Sequence, residues 1–231
     1  MSTPLAYFEI HGRRIAYRLR AGGSPTLVFL PGYASDMEGA KALALDSFAG
    51  RRGLAMLRFD YSGTWSSSGQ FSDRTLASWL DDALAAIDQL TEGPLALVGS
   101  SMGGWLALHL ALLRADRVRG LVGIAAAADF TDWGFPDARS AQSQGISPAF
   151  YETGQRLRLL QGEIAIDCPI RLIHGEQDEE VPLDVAFRTL RALRSADVQL
   201  QVIKGGGHRL SGPHEIEAIL RTVAGLLEPA P

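Results

Sequence analysis

The chain is predicted to adopt an α/β fold, a mostly parallel eight-stranded sheet with helices on both faces. Three observations predict it. Short β-rich runs alternate with stretches of helical apolar spacing. Several runs, such as Leu27-Val-Phe-Leu30, are apolar without interruption, as strands covered on both faces are. Finally, 231 residues that are 46% hydrophobic and 21% charged suffice for one full core.

Taken in order, the strand-like runs are Ala6–Ile10, Ile15–Leu19, Thr26–Leu30, Leu54–Phe59, Leu95–Val98, Val118–Ala125, Ile170–His174 and Val198–Ile203. The first two are joined by a turn containing Gly12 and read as an antiparallel hairpin at the sheet edge. From Thr26 onward strands and helices alternate, which calls for parallel pairing through crossovers. Leu76, Trp79, Leu80, Ala83, Leu84, Ile87 and Leu90 recur at helical spacing, with Asp81, Asp82 and Asp88 on other faces. A second helix is expected after Ser101, a third over about Val181–Arg194 and a fourth over Glu215–Leu227. Residues 128–166 are longer than a simple crossover. With Trp133, Phe135, Phe150 and Tyr151 among turn formers, they read either as a lid-like insertion or as an elaborated loop with one helix. The whole chain, 1–231, is otherwise read as a single domain.

Composition narrows the function classes. Lys and Arg number 22 against 26 Asp and Glu, a net charge of −4, and no dense basic run suggests a nucleic-acid or anionic-membrane partner. Cys168 is the sole cysteine, so neither an internal disulfide nor a cysteine metal cluster is available, which suits a reducing compartment. The first 30 residues show no signal-peptide pattern, and no apolar run approaches the ~18 residues of a membrane span. A cytoplasmic protein is expected, and its oligomeric state is left open.

The chemistry is carried by Gly99-Ser100-Ser101-Met102-Gly103, a G-x-S-x-G pattern between a buried strand and a helical run. A serine on so tight a strand-to-helix turn needs neighbours without a Cβ on either side, because sheet and helix backbones pass closely there. Ser101 is therefore the candidate nucleophile, the alternative being a helix-capping serine. A hydroxyl needs a base and an orienting acid. Of five histidines, His208 lies in a glycine turn just past the strand Val198–Ile203, on the sheet rim that also holds Ser101. His11, His109, His174 and His214 fit structural roles better. The acid is read as Asp178, mid-loop after Ile170–His174. Glu176, Glu179, Glu180, Asp129 and Asp132 stand as competitors. The order Ser, Asp, His follows. Oxyanion donors are expected in the N–H groups of Met102 and of Tyr33, the latter in the Pro31-Gly32 turn. Trp65, Trp105, Trp133 and Phe135 line a substrate pocket or pack in the core, and Thr64–Gln70 is expected on the rim.

Phe29-Leu-Pro-Gly-Tyr33, Lys41-Ala-Leu-Ala44, Arg58-Phe-Asp-Tyr-Ser-Gly63, Val98-Gly-Ser-Ser-Met-Gly-Gly-Trp105, Cys168-Pro-Ile-Arg-Leu-Ile-His-Gly175 and His208-Arg209 together resemble the α/β-hydrolase superfamily. The likeness is to the branch that holds acyl-glucuronide esterases and palmitoyl-protein thioesterases, and it covers most of residues 24–225. It implies the same roles for Ser101, Asp178 and His208. It also implies hydrolysis of an ester or thioester in a small molecule or an acylated protein, with no cofactor and no metal. The stretch 128–166 is shorter than in that branch and differs in composition, and no organellar targeting segment is evident. Two other readings are a non-catalytic ligand-binding protein on the same scaffold and a lactone or C–C bond hydrolase.

Overall fold

The structure, a computed structural model, describes residues 3–228. Strands β1 (Ala6–Ile10) and β2 (Arg13–Arg20) form the expected hairpin, turning on His11 and Gly12 at φ 47° and 73°. Next come β3 (Gly23–Leu30), α1 (Ala40–Arg52), β4 (Leu54–Phe59), α2 (Leu76–Leu90), β5 (Leu95–Ser100), α3 (Met102–Leu113) and β6 (Val118–Ile124). Three short helices, α4 (Phe130–Trp133), α5 (Ala138–Ser143) and α6 (Pro148–Arg156), precede β7 (Ile170–Gly175), α7 (Leu183–Ala192), β8 (Val198–Ile203) and α8 (Pro213–Leu227).

The eight strands lie in the order β1-β2-β4-β3-β5-β6-β7-β8. β2 pairs antiparallel with both its neighbours, and every pair from β4 to β8 is parallel. The chain steps outward from β3 to β4 and then returns past β3 to β5. The connections therefore diverge between β3 and β5, which opens a crevice at the carboxyl ends of these two strands.

Period-2 alternation divides the core between the two faces. On one side Leu27, Phe29, Ala96, Val98 and Val122 meet Leu45 and Phe48 of α1 and Ile219 and Val223 of α8. On the other, Val28, Leu30, Leu57, Leu95 and Leu97 meet Trp79 of α2 and Leu106 and Leu110 of α3. α2 starts in a reciprocal cap, in which Thr75 Oγ1 accepts from the Ser78 N–H at 3.0 Å and Ser78 Oγ accepts from the Thr75 N–H at 2.9 Å. Residues 128–166 are pinned at several points. The Asp129 carboxylate accepts the Leu159 and Leu160 N–H groups, and the Leu157 carbonyl accepts from the Trp105 indole at 3.2 Å. α7 is shorter than the periodicity suggests, because Pro182 takes its N-cap position. Among the described residues, no helix is long and apolar enough to cross a membrane.

Candidate active site

Ser101 follows the last residue of β5, with φ 54° and ψ −121°, a backbone conformation costly for any residue with a side chain. Three hydrogen bonds hold it there. Its N–H donates to the Ile124 carbonyl at 2.8 Å, and its own carbonyl accepts from Gly104 at 2.9 Å and Ala127 at 3.0 Å. The surrounding glycines are required by close approach. A Cβ at Gly103 would stand 2.1 Å from the Leu30 carbonyl oxygen, and one at Gly99 2.3 Å from that of Gly103. Without those side chains, the start of α3 seats against the end of β3.

This seating brings the Pro31-Gly32-Tyr33 turn to the serine, since a Cβ placed on Gly32 would lie 3.3 Å from that of Ser101. Met102 is the first residue of α3, so its N–H has no intrahelical acceptor. The backbone N–H groups of Tyr33 and Met102 thus belong to segments that flank the hydroxyl. The Tyr33 ring points away from it into an aromatic cluster, edge-on to Phe71, Trp79 and Phe150 with centroids 5.2–5.7 Å apart. Burial there pushes its phenol pKa up.

His208 lies just past β8, and its Nε2 is 3.0 Å from Ser101 Oγ. Its Nδ1 is 2.9 Å from Asp178 Oδ2. Both distances suit a hydroxyl donating to Nε2 while Nδ1–H donates to the carboxylate. Asp178 Oδ1 accepts the N–H groups of Glu180 and Val181 at 2.9 and 2.8 Å. Burial works against the charge of Asp178, but the His208 hydrogen bond and these backbone donors outweigh it and hold the carboxyl below its usual range. A Cβ on Gly175 would stand 2.3 Å from the Gly206 carbonyl oxygen, so the loops after β7 and β8 run in direct contact. That contact brings acid and imidazole together.

Three of the competing carboxylates, those of Asp129, Asp132 and Glu176, are committed elsewhere. Asp129 is 1% exposed and holds the Leu159 and Leu160 N–H groups, and burial, opposed by these two donors, raises its pKa. Asp132 pairs with Arg158 at 2.9 Å, and Glu176 accepts from the Gly205 N–H at 3.0 Å. Glu180, exposed at the rim, lies 3.6 Å from His208 Nε2. His109 contacts the Leu157 carbonyl, His11 is exposed, and the α8 cap is supplied by Glu215 rather than His214.

A cleft of about 660 Å³ opens beside Ser101 and His208. Its walls come from the loop after β3, the start of α1, Trp65, Glu180 and Arg209. Trp65 stands on this rim, 67% exposed and at φ 39°. The other two tryptophans expected at the pocket lie elsewhere. Trp105 is completely buried, because α3 is covered on all sides and its indole N–H is taken by Leu157. Trp133 donates to the Ala128 carbonyl at 2.7 Å and packs against Ala127, Val181 and Val185. Phe135 packs on Phe130. The sequence reading missed the polar cleft wall, where Lys41 Nζ donates to the Arg209 carbonyl. Burial pulls the Lys41 pKa down, and Glu215 opposes that shift. The missed signal was the start of α1, whose small residues give little amphipathic pattern.

Residues 25–148 match the model of the family described as alpha/beta hydrolase fold. This chain belongs to that family. The human palmitoyl-protein thioesterase ABHD10, mitochondrial, is 36% identical over 93% of the chain and 76% of its own length. Mouse alpha/beta hydrolase domain-containing protein 10 superposes with a TM-score of 0.91 at 33% identity, covering 97% of this chain and 98% of that one. A crystal structure from Agrobacterium vitis S4 gives 0.90 at 34% identity, covering 98% and 99%. This α/β-hydrolase is thus related to thioesterases.

Proposed function

We propose that this α/β-hydrolase cleaves carboxylic ester or thioester bonds through an acyl-enzyme, with Ser101 as nucleophile, His208 as base and Asp178 as its orienting acid. The observation that carries the reading is the unbroken chain of contacts from Ser101 Oγ through the His208 ring to Asp178, at 3.0 and 2.9 Å. His208 takes the hydroxyl proton as Oγ attacks the acyl carbonyl. The Tyr33 and Met102 N–H groups stabilise the oxyanion, and the imidazolium then protonates the departing alcohol or thiol. A water molecule, deprotonated by the same ring, releases the acid and restores Ser101. Each step needs only these protein groups and water.

Relationship to palmitoyl-protein thioesterases favours an acylated substrate, a small molecule or a protein, and Trp65 on the rim offers it an apolar anchor. Residues 128–166 act as a lid in this reading, which the packing of Phe130 and Phe150 on the ring of Tyr33 supports, since the Tyr33 backbone flanks Ser101. The lone cysteine fits a cytoplasmic setting.

The experiment is fluorophosphonate labelling followed by a chain-length panel of oxygen esters and thioesters. Wild type is expected to label at Ser101 and turn over at least one acyl series. Ser101→Ala is expected to lose both, with a rate loss of at least about a thousandfold. Folded wild-type protein that neither labels nor turns over any member of the panel would overturn the reading.

A further inference from the structure

His174 is the last residue but one of β7, and it is 1% exposed. Its Nε2 lies 2.9 Å from the Val181 carbonyl oxygen and 3.4 Å from Asp178 Oδ2. Both atoms accept hydrogen bonds and neither can donate one, since the carboxyl of Asp178 is held ionised. The proton of the His174 ring must therefore sit on Nε2, where it is donated to the Val181 carbonyl with Asp178 Oδ2 close by.

Val181 enters the arrangement twice. Its carbonyl faces His174, while its N–H donates to the other oxygen of Asp178 at 2.8 Å. His174, Val181 and Asp178 thus close a ring of contacts at the base of the loop after β7. One end of that ring is fixed on β7, which is paired on both sides, and the other is the carboxylate that faces His208. A small cavity beside His174 is lined by uncharged groups, among them Gly123 and Ala126 from the β6 side and Ala186 and Thr189 from α7, and the register partner of His174 on β8 is Val202. Asp178 is the charged group on this side. Beyond it stand His208 and the exposed Glu180.

We propose that His174 is a positioning residue for the hydrolytic reaction, its Nε2–H holding the Val181 carbonyl so that the Val181 N–H and the nearby imidazole dipole keep Asp178 aligned on His208. The assignment rests on the serine-hydrolase reading for its consequence but not for its geometry. Asp178 Oδ2 is the oxygen nearest to both histidines, so the His174 N–H dipole stabilises the same carboxylate oxygen that faces His208. Removing that donor leaves the carboxylate more basic, so it holds the His208 proton more tightly. The acid limb of the kcat/KM profile then moves to higher pH. Loss of the Val181 tether also loosens the aspartate, which lowers kcat more than it raises KM.

Two measurements test this, one independent of turnover. In protein labelled with ¹⁵N-histidine, long-range proton–nitrogen spectra are expected to show His174 protonated on Nε2 and bare on Nδ1, its signals assigned by their loss in His174→Gln. The second compares His174→Gln, whose amide can still donate from the Nε2 position, with His174→Phe, which cannot. The Phe variant is expected to lose about 10- to 100-fold in kcat, the range that outer hydrogen-bond partners of functional imidazoles carry. Its acid limb should shift upward, while the Gln variant recovers most of the rate and a profile near wild type. A proton on Nδ1 overturns the assignment, and so does equal impairment of the two variants or an unmoved acid limb in the Phe variant. If the Phe variant does not fold, the tautomer decides. A wild type without turnover would count against the hydrolase reading, while the ring protonation would still test the geometry.

Discussion

At the scale of single residues, the strained serine shows what the site costs and what sustains it. A side chain at φ 54°, ψ −121° costs about 1–3 kcal/mol and persists because three backbone hydrogen bonds leave the turn no alternative. Glycine tolerates that conformation and alanine does not. Ser101→Gly and Ser101→Ala are both expected to be inactive. In differential scanning calorimetry, however, the glycine variant should melt about 2 °C or more above the alanine one, a shift of roughly 1 kcal/mol at this chain length. Asp178 makes the corresponding statement about charge. Its folded pKa lies below the ordinary carboxylate value, so its contribution to stability is fully present above about pH 4. That contribution is lost as pH falls through the lower, folded value. Asp178→Asn should therefore show a reduced urea midpoint at pH 7, with the gap to wild type closing as the pH drops below about 4. Turnover in Asp178→Asn should fall by roughly 10⁴-fold, as when an orienting acid is lost and the histidine takes the wrong tautomer.

At the scale of elements, what could be read from the sequence follows burial. β3, β5 and β6 are covered on both faces, so their continuous apolar runs identified them, and β5 followed by G-x-S-x-G located the turn. α2 was visible because it has one buried face. α1 was not visible. Ala, Gly and Ser fill much of it and Gly39 precedes it without a side-chain cap, so neither period nor start signal stood out. α3 has the opposite problem. It is apolar all round, so nothing in its pattern told which way Trp105 faces. The acidic loop after β7 made Asp178 the favoured acid, but the link from His174 through the Val181 carbonyl is a backbone contact that no side-chain pattern encodes. The three helices between β6 and β7 were also beyond reach, since each is short and held by tertiary contacts rather than by periodicity. Asp129 is the clearest of those contacts. Asp129→Ala leaves the Leu159 and Leu160 N–H groups without their acceptor and is expected to cost about 1–3 kcal/mol. Limited proteolysis should then cut within residues 134–147 well below the melting temperature, while wild type resists.

At the scale of the whole molecule, the sheet order does most of the positioning. The turn after β3 and the serine after β5 are brought together because these strands are direct neighbours. The aspartate and histidine are brought together because β7 and β8 are neighbours in turn. Each pair is adjacent through backbone pairing alone, and β6 sets the spacing between them. The long connection between β6 and β7 contributes none of the four segments. Its departure is pinned at Asp129 and its return at Leu157, Leu159 and Leu160, and between those pins Phe130 and Phe150 pack on the Tyr33 ring. If the stretch acts as the lid proposed above, the scaffold separates reactivity from selectivity. Grafting a longer or shorter stretch between the pins would reshape what the protein accepts and leave its chemical machinery intact, giving descendants of one ancestor a ready route to new diets.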